Sequence, residues 1–130
     1  VLKTKILSFT APPGRCNVKH CNGVTIFDDT YNANLASSLA AIDYLNAFSG
    51  NGRRILVFGD MFELGTSSNE QHRRIGQKCS ELNLDGVYTI GKHTKYTDSA
   101  ISNGVDHIHY KSKDNLITSL KKKIIAGDKI

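Results

Sequence analysis

The chain has 130 residues, which fits one compact domain and is too short for a complete ATP-driven ligase or a two-domain dehydrogenase. Hydrophobic residues make up 39% of it and prolines number only two, so it can form a packed core and is not disordered. The net charge of +5 is scattered, without the aromatic-interleaved basic stripe of single-strand binders, so we expect no nucleic-acid partner. No apolar stretch reaches the roughly 20 residues of a membrane span.

The termini and the cysteines indicate whether the chain is part of a longer polypeptide and in which compartment it is found. Residue 1 is Val, no secretion signal follows it, and residues 127–130 are typical of a turn that leads into a strand, so we expect a piece of a longer polypeptide. The three cysteines are an odd number and too few for a disulfide scaffold. No Asn-x-Ser/Thr signal occurs. We therefore expect a reducing, cytoplasmic location.

The first predicted elements are a β-hairpin and a helix. Asn22-Gly23 is a strong turn signal between predicted strands at 15–20 and Val24–Asp28. Apolar residues then recur at three- and four-residue steps from position 35 to position 48, which predicts an amphipathic helix. Asn34 suits the N-cap of that helix, and residues 49–52 form a loop.

Strands and helices alternate in the remaining sequence. We predict strands at 54–58, 86–90 and 107–110, helices at 69–82, 94–102 and 112–126, and the start of a last strand at 129–130. Almost uniformly apolar strands are typical of a parallel sheet covered on both faces. The sequence thus predicts an α/β fold: a three-layer, mainly parallel, Rossmann-like sheet with helices on both faces and an N-terminal β-hairpin. Ligands bind such sheets outside the carboxyl ends of the strands, which makes residues 28–34 and 59–65 candidate ligand loops.

Several weaker motifs have structural explanations. Gly86-x4-Gly91-Lys92-His93 is close to a phosphate-binding loop, but the residues between the glycines favour a strand and His93 replaces the Mg²⁺-binding hydroxyl. The other candidates are two small clusters of metal-ligand residue types and a serine–lysine pair, at Cys16/His20/Cys21, His107/His109 and Ser119/Lys122. Their spacing fits hairpin side chains, surface histidines and chance, so we expect no metal site.

The two candidate loops leave two interpretations open. Residues 28–34 read DDTYNAN, and residues 59–65 read GDMFELG. Ordinary strand-to-helix loops explain both, with Asn34 as a cap and the glycines adopting unusual backbone angles. Two adjacent carboxylates, a tyrosine and two asparagines also suit a nucleotide, because they can bond ribose hydroxyls, a base or phosphate and can stack on a base.

The combined motifs resemble a known enzyme family. Gly14-Arg15, NGVTIFDDTYNAN at 22–34, GDMFELG at 59–65 and His72 occur in the order and spacing of the C-terminal domain of Mur ligases. The resemblance is closest to the branch that joins D-alanyl-D-alanine to UDP-N-acetylmuramoyl-tripeptide. It covers residues 13–130, so residues 1–12 would be a linker from a central ATPase domain, and the chain would stop before its last strand is complete.

The resemblance implies a reaction and its site residues. Such ligases use ATP and Mg²⁺, bound mainly by the central domain, to form an acyl phosphate in cytoplasmic peptidoglycan precursor synthesis. Arg15 resembles a catalytic arginine that reaches the ATP phosphates, and Asp29 resembles a ribose contact. Further nucleotide contacts would come from Tyr31, Asn32 and Asn34, and substrate contacts from Asp60, Met61, Glu63 and Gly65.

Three expectations and two alternatives accompany this resemblance. Leu35 stands where the family often has proline, which should affect the helix start more than the chemistry. We expect the chain alone to be inactive, and we expect no oligomer. One alternative is another Mur or folylpolyglutamate-type ligase with a different acceptor. The other is a non-catalytic Rossmann-like binding module.

Overall fold

The structure is a computed structural model that describes residues 17–30, 33–48, 50–102 and 104–130. The strands are β1 (Asn17–Cys21), β2 (Val24–Asp28), β3 (Ile55–Phe58), β4 (Gly86–Ile90) and β5 (Asp106–Tyr110). The helices are α1 (Leu35–Ala47), α2 (Ser68–Glu81), α3 (Thr94–Ser99) and α4 (Lys113–Lys123), and a 3₁₀ turn at Gly65–Ser67 leads into α2. The predicted alternation of elements is confirmed, with α3 and α4 each ending three residues earlier than expected.

Strands β1 and β2 form the predicted antiparallel hairpin. Cys21 pairs with Val24 across a two-residue turn, in which Asn22 and Gly23 have φ angles of 51° and 80°. Positive φ at both central positions is the geometry that matches the twist of a hairpin, and it explains the Asn-Gly signal. The strand β1 includes Cys21, one residue beyond the predicted end, and predicted strand residues 15 and 16 lie outside the described residues.

Strands β3, β4 and β5 form a parallel sheet, and residues 128–130 connect it to the hairpin. On one side of this segment, Thr25 N–H donates to the Asp128 carbonyl at 2.9 Å and Ile130 N–H donates to the Thr25 carbonyl at 2.9 Å. On the other side, Ile55 N–H donates to the Lys129 carbonyl at 2.8 Å. The bridges on both sides are parallel. The continuous order is therefore β1, β2, segment 128–130, β3, β4, β5, which confirms the mainly parallel sheet with an added hairpin.

Helices cover both faces of the sheet, as predicted. On one face, α1, α2 and α3 pack over β3 and β4 around a core that contains Ile42, Phe58, Met61, Ile75, Cys79 and Val87. On the other face, α4 contributes Leu116 and Leu120 to a smaller cluster with Ile55, Tyr88 and Tyr110. The alternation of Ile55 and Phe58 between the two clusters follows from the two-residue period of a strand.

An ion pair between Arg53 and Asp128 fixes segment 128–130 in place. Arg53 donates from Nε and Nη2 to the two Asp128 carboxylate oxygens at 2.9 and 2.6 Å, and from Nη2 to the Lys123 carbonyl at 2.7 Å. The Asp128 side chain is only 1% exposed and also accepts from Ile125 N–H. Burial alone would raise its pKa, but the Arg53 guanidinium and the Ile125 amide outweigh burial and lower the pKa of Asp128 below its ordinary value.

Removing the Arg53 guanidinium should destabilise the protein. Arg53→Met keeps a long apolar side chain but leaves a buried carboxylate without its cation, so the free energy of unfolding should fall by about 2–3 kcal/mol. Urea denaturation measures this change. Arg74→Met is the control, because Arg74 pairs with Glu81 at 3.4 Å on the exposed surface. Its cost should stay below about 1 kcal/mol.

The effect of Arg53→Met should also depend on pH. Since the folded carboxyl has the lower pKa, the ion pair contributes fully above the ordinary aspartate value of about 3.9. That contribution is lost as the pH falls through the folded pKa. The difference between the two proteins should thus be constant down to about pH 5 and shrink below about pH 4. If the difference in the free energy of unfolding stayed the same at acid pH, the contribution of the ion pair would not come from the charge of Asp128.

Candidate functional site

The loops after β2, β3 and β4 meet at one edge of the sheet. These strands and segment 128–130 all run parallel, so their carboxyl ends point the same way. This edge carries the described parts of the two loops singled out in the sequence, residues 28–30, 33–34 and 59–65, and the turn at residues 91–93. It is the edge at which parallel α/β sheets bind ligands.

The first loop begins with an aspartate that is engaged internally. Asp28 accepts from Lys19 Nζ at 2.8 Å and from the Thr30 hydroxyl at 2.7 Å. The bond from Lys19, followed by the bond from Thr30, lowers the pKa of Asp28 below its ordinary value. Asp29, which follows, is partly buried. The other predicted residues of this group, Arg15, Tyr31 and Asn32, lie outside the described residues.

Asn34 closes the first loop as the N-cap of α1. Its side-chain oxygen accepts from Ser37 N–H at 2.8 Å, and the Ser37 hydroxyl accepts from Asn34 N–H at 3.1 Å. This reciprocal capping box satisfies two backbone donors at the start of the helix. The N-cap predicted from the sequence is confirmed. A contact from Asn34 to a nucleotide stays a prediction, and because the side-chain oxygen is used in the cap, the Nδ2 group would have to make that contact.

Asp60 binds the turn after β4. Its two carboxylate oxygens accept from three successive backbone amides, Lys92 N–H at 2.8 Å and His93 and Thr94 N–H at 2.9 Å each. Burial alone would raise the pKa of Asp60, but the three amide donors outweigh burial and lower it. The turn that resembled a phosphate-binding loop in the sequence thus presents three amide donors, at residues 92–94. We call this group the amide cradle, and the Asp60 carboxylate occupies it.

Met61 and His72 attach the second loop to the core. The Met61 side chain is 1% exposed, and Met61 N–H donates to His72 Nε2 at 3.0 Å. His72 Nδ1 lies 2.7 Å from the Ser68 carbonyl, which cannot donate, so Nδ1 carries the hydrogen and Nε2 is the acceptor. His72 is fully buried, and its two ring nitrogens connect the second loop to the start of α2.

The second loop then projects outward. Phe62 is 74% exposed, and Glu63 and Gly65 are exposed beside it. Glu63 has a φ of 60°, which costs a non-glycine residue about 1–2 kcal/mol. Asp60 and Met61, predicted as substrate contacts, therefore hold the loop in this structure, whereas Glu63 and Gly65 face solvent. Their roles toward a substrate stay predictions.

Two of the remaining sequence candidates, His107 and Ser119, have local partners. His107 Nδ1 lies 2.8 Å from Asp98 Oδ1, and the Ser119 hydroxyl bonds to the Tyr110 hydroxyl at 2.6 Å. Among the described residues, no group of three or more His, Cys, Asp or Glu side chains could hold a metal ion. In the same part of the chain, no helix has the length and apolar character needed to cross a bilayer.

Sequence reasoning missed two features of this edge. The first is the set of amides at residues 92–94 as the partner of Asp60. An acid after one strand and a Gly-Lys turn after the next are the only signals for it. The second is Phe62, which is not among the sequence candidates and whose side chain is highly exposed.

Comparisons with known proteins fit this geometry. The family model described as "Mur ligase, glutamate ligase domain" matches residues 14–130. The chain belongs to the Mur ligase family. It is 40% identical over 101 residues to the UDP-N-acetylmuramoyl-tripeptide–D-alanyl-D-alanine ligase of Buchnera aphidicola, covering 78% of this chain and 21% of that protein. It is 35% identical to the Escherichia coli ligase of the same name, covering 92% and 26% respectively.

Solved structures show the same relationship for this Mur ligase chain. A MurF ligase from Thermotoga maritima in complex with ADP superposes with a TM-score of 0.79 at 31% identity, over 94% of this chain and 27% of that one. A MurF structure from Acinetobacter baumannii gives a TM-score of 0.80 at 26% identity, also over 94% and 27%. The chain thus spans about a quarter of the length of the ligases it matches.

Gly91 gives a test of the amide cradle. Its φ is 133°, and an added Cβ would lie against the Asp60 carboxylate. Gly91→Ala should expel that carboxylate and lower the free energy of unfolding by about 2–4 kcal/mol, as expected for backbone strain plus lost charged hydrogen bonds. The amide NMR signals of residues 92–94 should shift.

Gly104→Ala is the matched control. Gly104 also has a positive φ, 103°, but an added Cβ there meets no atom within 4 Å. This variant should show the backbone strain of about 1–2 kcal/mol without any change at residues 92–94. If both substitutions lowered the free energy of unfolding equally and left the amide signals of residues 92–94 unchanged, the bonds of Asp60 to these amides would not require a glycine at position 91.

Proposed function

We propose that this chain works as the C-terminal domain of an ATP-dependent amide-bond ligase. The full-length enzyme would add D-alanyl-D-alanine to UDP-N-acetylmuramoyl-tripeptide through an acyl phosphate, in cytoplasmic peptidoglycan precursor synthesis. Residues 13–130 would form the domain, and residues 1–12 would link it to the ATP-binding part. The observation that carries the proposal is the meeting of the loops at 28–34 and 59–65 at one sheet edge, in a chain whose relatives bear that activity in their names.

The first loop supplies the nucleotide contacts of this proposal. Its two ends are fixed, by the Asp28 bonds to Lys19 and Thr30 and by the Asn34 capping box. Asp29 lies between these anchors, where its carboxylate could accept from the ribose hydroxyls. Arg15, with Tyr31 and Asn32, would complete the contacts to ATP, the guanidinium facing the phosphates, where negative charge develops during transfer.

Most of the phosphate and metal chemistry would come from the rest of the enzyme. The amide cradle at residues 92–94 is filled by Asp60, so it does not offer its donors to a phosphate. Mg²⁺, which proteins usually hold through one or two carboxylates beside the phosphate oxygens of the nucleotide, would be bound mainly by the ATP-binding part. We therefore propose that the chain alone is inactive, and that its docking on the ATP-binding part assembles the site, excludes water and protects the acyl phosphate.

A ligase with another acceptor is the second candidate. The family description, a glutamate ligase domain, favours it, because that description names glutamate and not D-alanyl-D-alanine. The names of the individual relatives favour D-alanyl-D-alanine. A screen of amine acceptors with the full-length enzyme, read as acceptor-dependent release of inorganic phosphate, distinguishes the two.

Asp29 provides the direct test of the nucleotide contact. In the full-length enzyme, Asp29→Ala should raise the apparent KM for ATP about tenfold, because one or two hydrogen bonds to a charged acceptor are lost. The KM for the dipeptide should change little. Steady-state kinetics with ATP as the varied substrate measures both values.

Asp114→Ala is the control for that experiment. Asp114 is an exposed acid in the first turn of α4, outside the candidate loops. The control variant should keep the ATP dependence of the unmodified enzyme. An unchanged KM for ATP in Asp29→Ala would rule out the ribose contact.

A further inference from the structure

We infer that the hydrogen bond between Met61 and His72 makes the position of the second loop sensitive to protons. When a proton adds to Nε2 of His72, this bond is lost and the loop is released from α2. The inference stands apart from the proposed function, because it concerns only how residues 59–65 are attached to the core. The loop lies at the edge formed by the carboxyl ends of the strands, so its release changes the shape of the edge where α/β sheets bind ligands.

Both ring nitrogens of His72 are used in the structure. Nδ1 lies 2.7 Å from the Ser68 carbonyl, and Nε2 accepts from Met61 N–H at 3.0 Å. A backbone N–H can only donate and a carbonyl can only accept, so this arrangement requires a hydrogen on Nδ1 and a lone pair on Nε2. The contact with Met61 therefore exists in only one protonation state of the ring.

A second proton on the ring leaves two donors facing each other. Nε2–H then points at Met61 N–H across 3.0 Å, with no acceptor between them. The His72 side chain cannot turn toward water, because the residue is 0% exposed. Since unpaired buried donors are costly, the two groups separate. The bond from Nδ1 to the Ser68 carbonyl keeps its donor, so the loop moves and the helix does not.

Two charged or titratable neighbours decide how readily His72 takes up the proton. Asp60 precedes Met61 in the second loop, and its negative charge favours an imidazolium beside it. The His93 ring, in the turn after β4, stacks on the His72 ring with centroids 5.6 Å apart. A positive charge on His93 opposes one on His72.

The other elements around His72 add little charge. Strand β3 contributes the Phe58 ring, and α3 contributes Thr97, whose hydroxyl donates to the His72 carbonyl at 2.8 Å. On α2 itself, Glu70 and Arg73 pair with each other at 3.6 Å. Three further charged side chains of the loop, the turn and α3 are exposed to water, which screens them: Glu63, Lys92 and Lys95.

The neighbouring attachment of the loop persists in mild acid. The Asp60 carboxylate accepts from the three amides of residues 92–94. Burial alone would raise the pKa of Asp60, but these amides outweigh burial and keep the pKa below its ordinary value. Release is thus confined to the part of the loop after Asp60. It removes one of the contacts that enforce the φ of 60° at Glu63.

His107 provides a contrast within the same chain. Its Nδ1 lies 2.8 Å from a carboxylate oxygen of Asp98, which is an acceptor and carries negative charge. A proton gained by the His107 ring strengthens this contact, because a charge-assisted hydrogen bond forms. The two histidines therefore respond to acid in opposite directions, which makes His107 the matched control.

NMR of the 130-residue chain tests the inference between about pH 8 and pH 5, the range in which histidine ordinarily titrates. The ring nitrogen signals of His72 report its protonation, and the backbone amide signals report the loop. The Met61 amide should shift with the same midpoint as the His72 ring. Its protection from hydrogen exchange should fall about tenfold, because a local opening replaces a buried hydrogen bond. The amide signals of residues 92–94 should stay unchanged.

Two variants assign the transition to a residue. His72→Gln brings a carboxamide oxygen that accepts from Met61 N–H and does not titrate, so the transition at Met61 should disappear. His107→Gln should keep it. If His72 gains its proton without a change at Met61, or stays unprotonated until the whole chain unfolds, the inference is wrong. A transition that persists in His72→Gln also overturns it. If His72→Gln does not fold, the titrations of the unmodified chain and of His107→Gln decide.

Discussion

The ion pair between Arg53 and Asp128 is the contact on which the candidate site depends. The hairpin and the three-stranded sheet share no strand, and only residues 128–130 hydrogen-bond to both of them among the described elements. The buried Asp128 carboxylate holds this segment through the two nitrogens of Arg53. Because this ion pair fixes the segment between β2 and β3, the loop that follows β2 and the loop that follows β3 lie at the same edge of the sheet. A change in this ion pair should therefore alter the position of these two loops although it lies outside both of them.

Two carboxylates at this edge hold the candidate loops in place. Asp28 fixes the start of one loop, and Asp60 joins the other loop to the turn after β4. Both have lowered pKa values because several donors surround them. Such saturated carboxylates have little capacity left for a ligand. Asp29 lies between the anchors of the first loop, and Phe62 and Glu63 are exposed in the second loop. This division refines the roles that the family resemblance implies.

Local signals predicted most of the fold. Asn22-Gly23 predicted the turn of the hairpin, and Asn34 predicted the N-cap of α1. Strand β4 covers residues 86–90 as expected. Long-range contacts were not predictable in the same way. Arg53 and Asp128 are 75 positions apart, and Asp60 meets amides 32 to 34 positions away, so no periodicity reports either contact. Likewise α4 ends at Lys123, three residues before the predicted end, and the Lys123 carbonyl accepts from the distant Arg53.

The central functional claim is that this chain carries part of an ATP site that is complete only when the chain is docked on the rest of the ligase. Isothermal titration of the 130-residue chain with ATP and Mg²⁺ tests it most directly, with the full-length enzyme titrated in parallel. The chain alone should bind with a dissociation constant no tighter than about 1 mM, which corresponds to about 4 kcal/mol, whereas the full-length enzyme should bind much more tightly. Micromolar binding by the chain alone would contradict the claim.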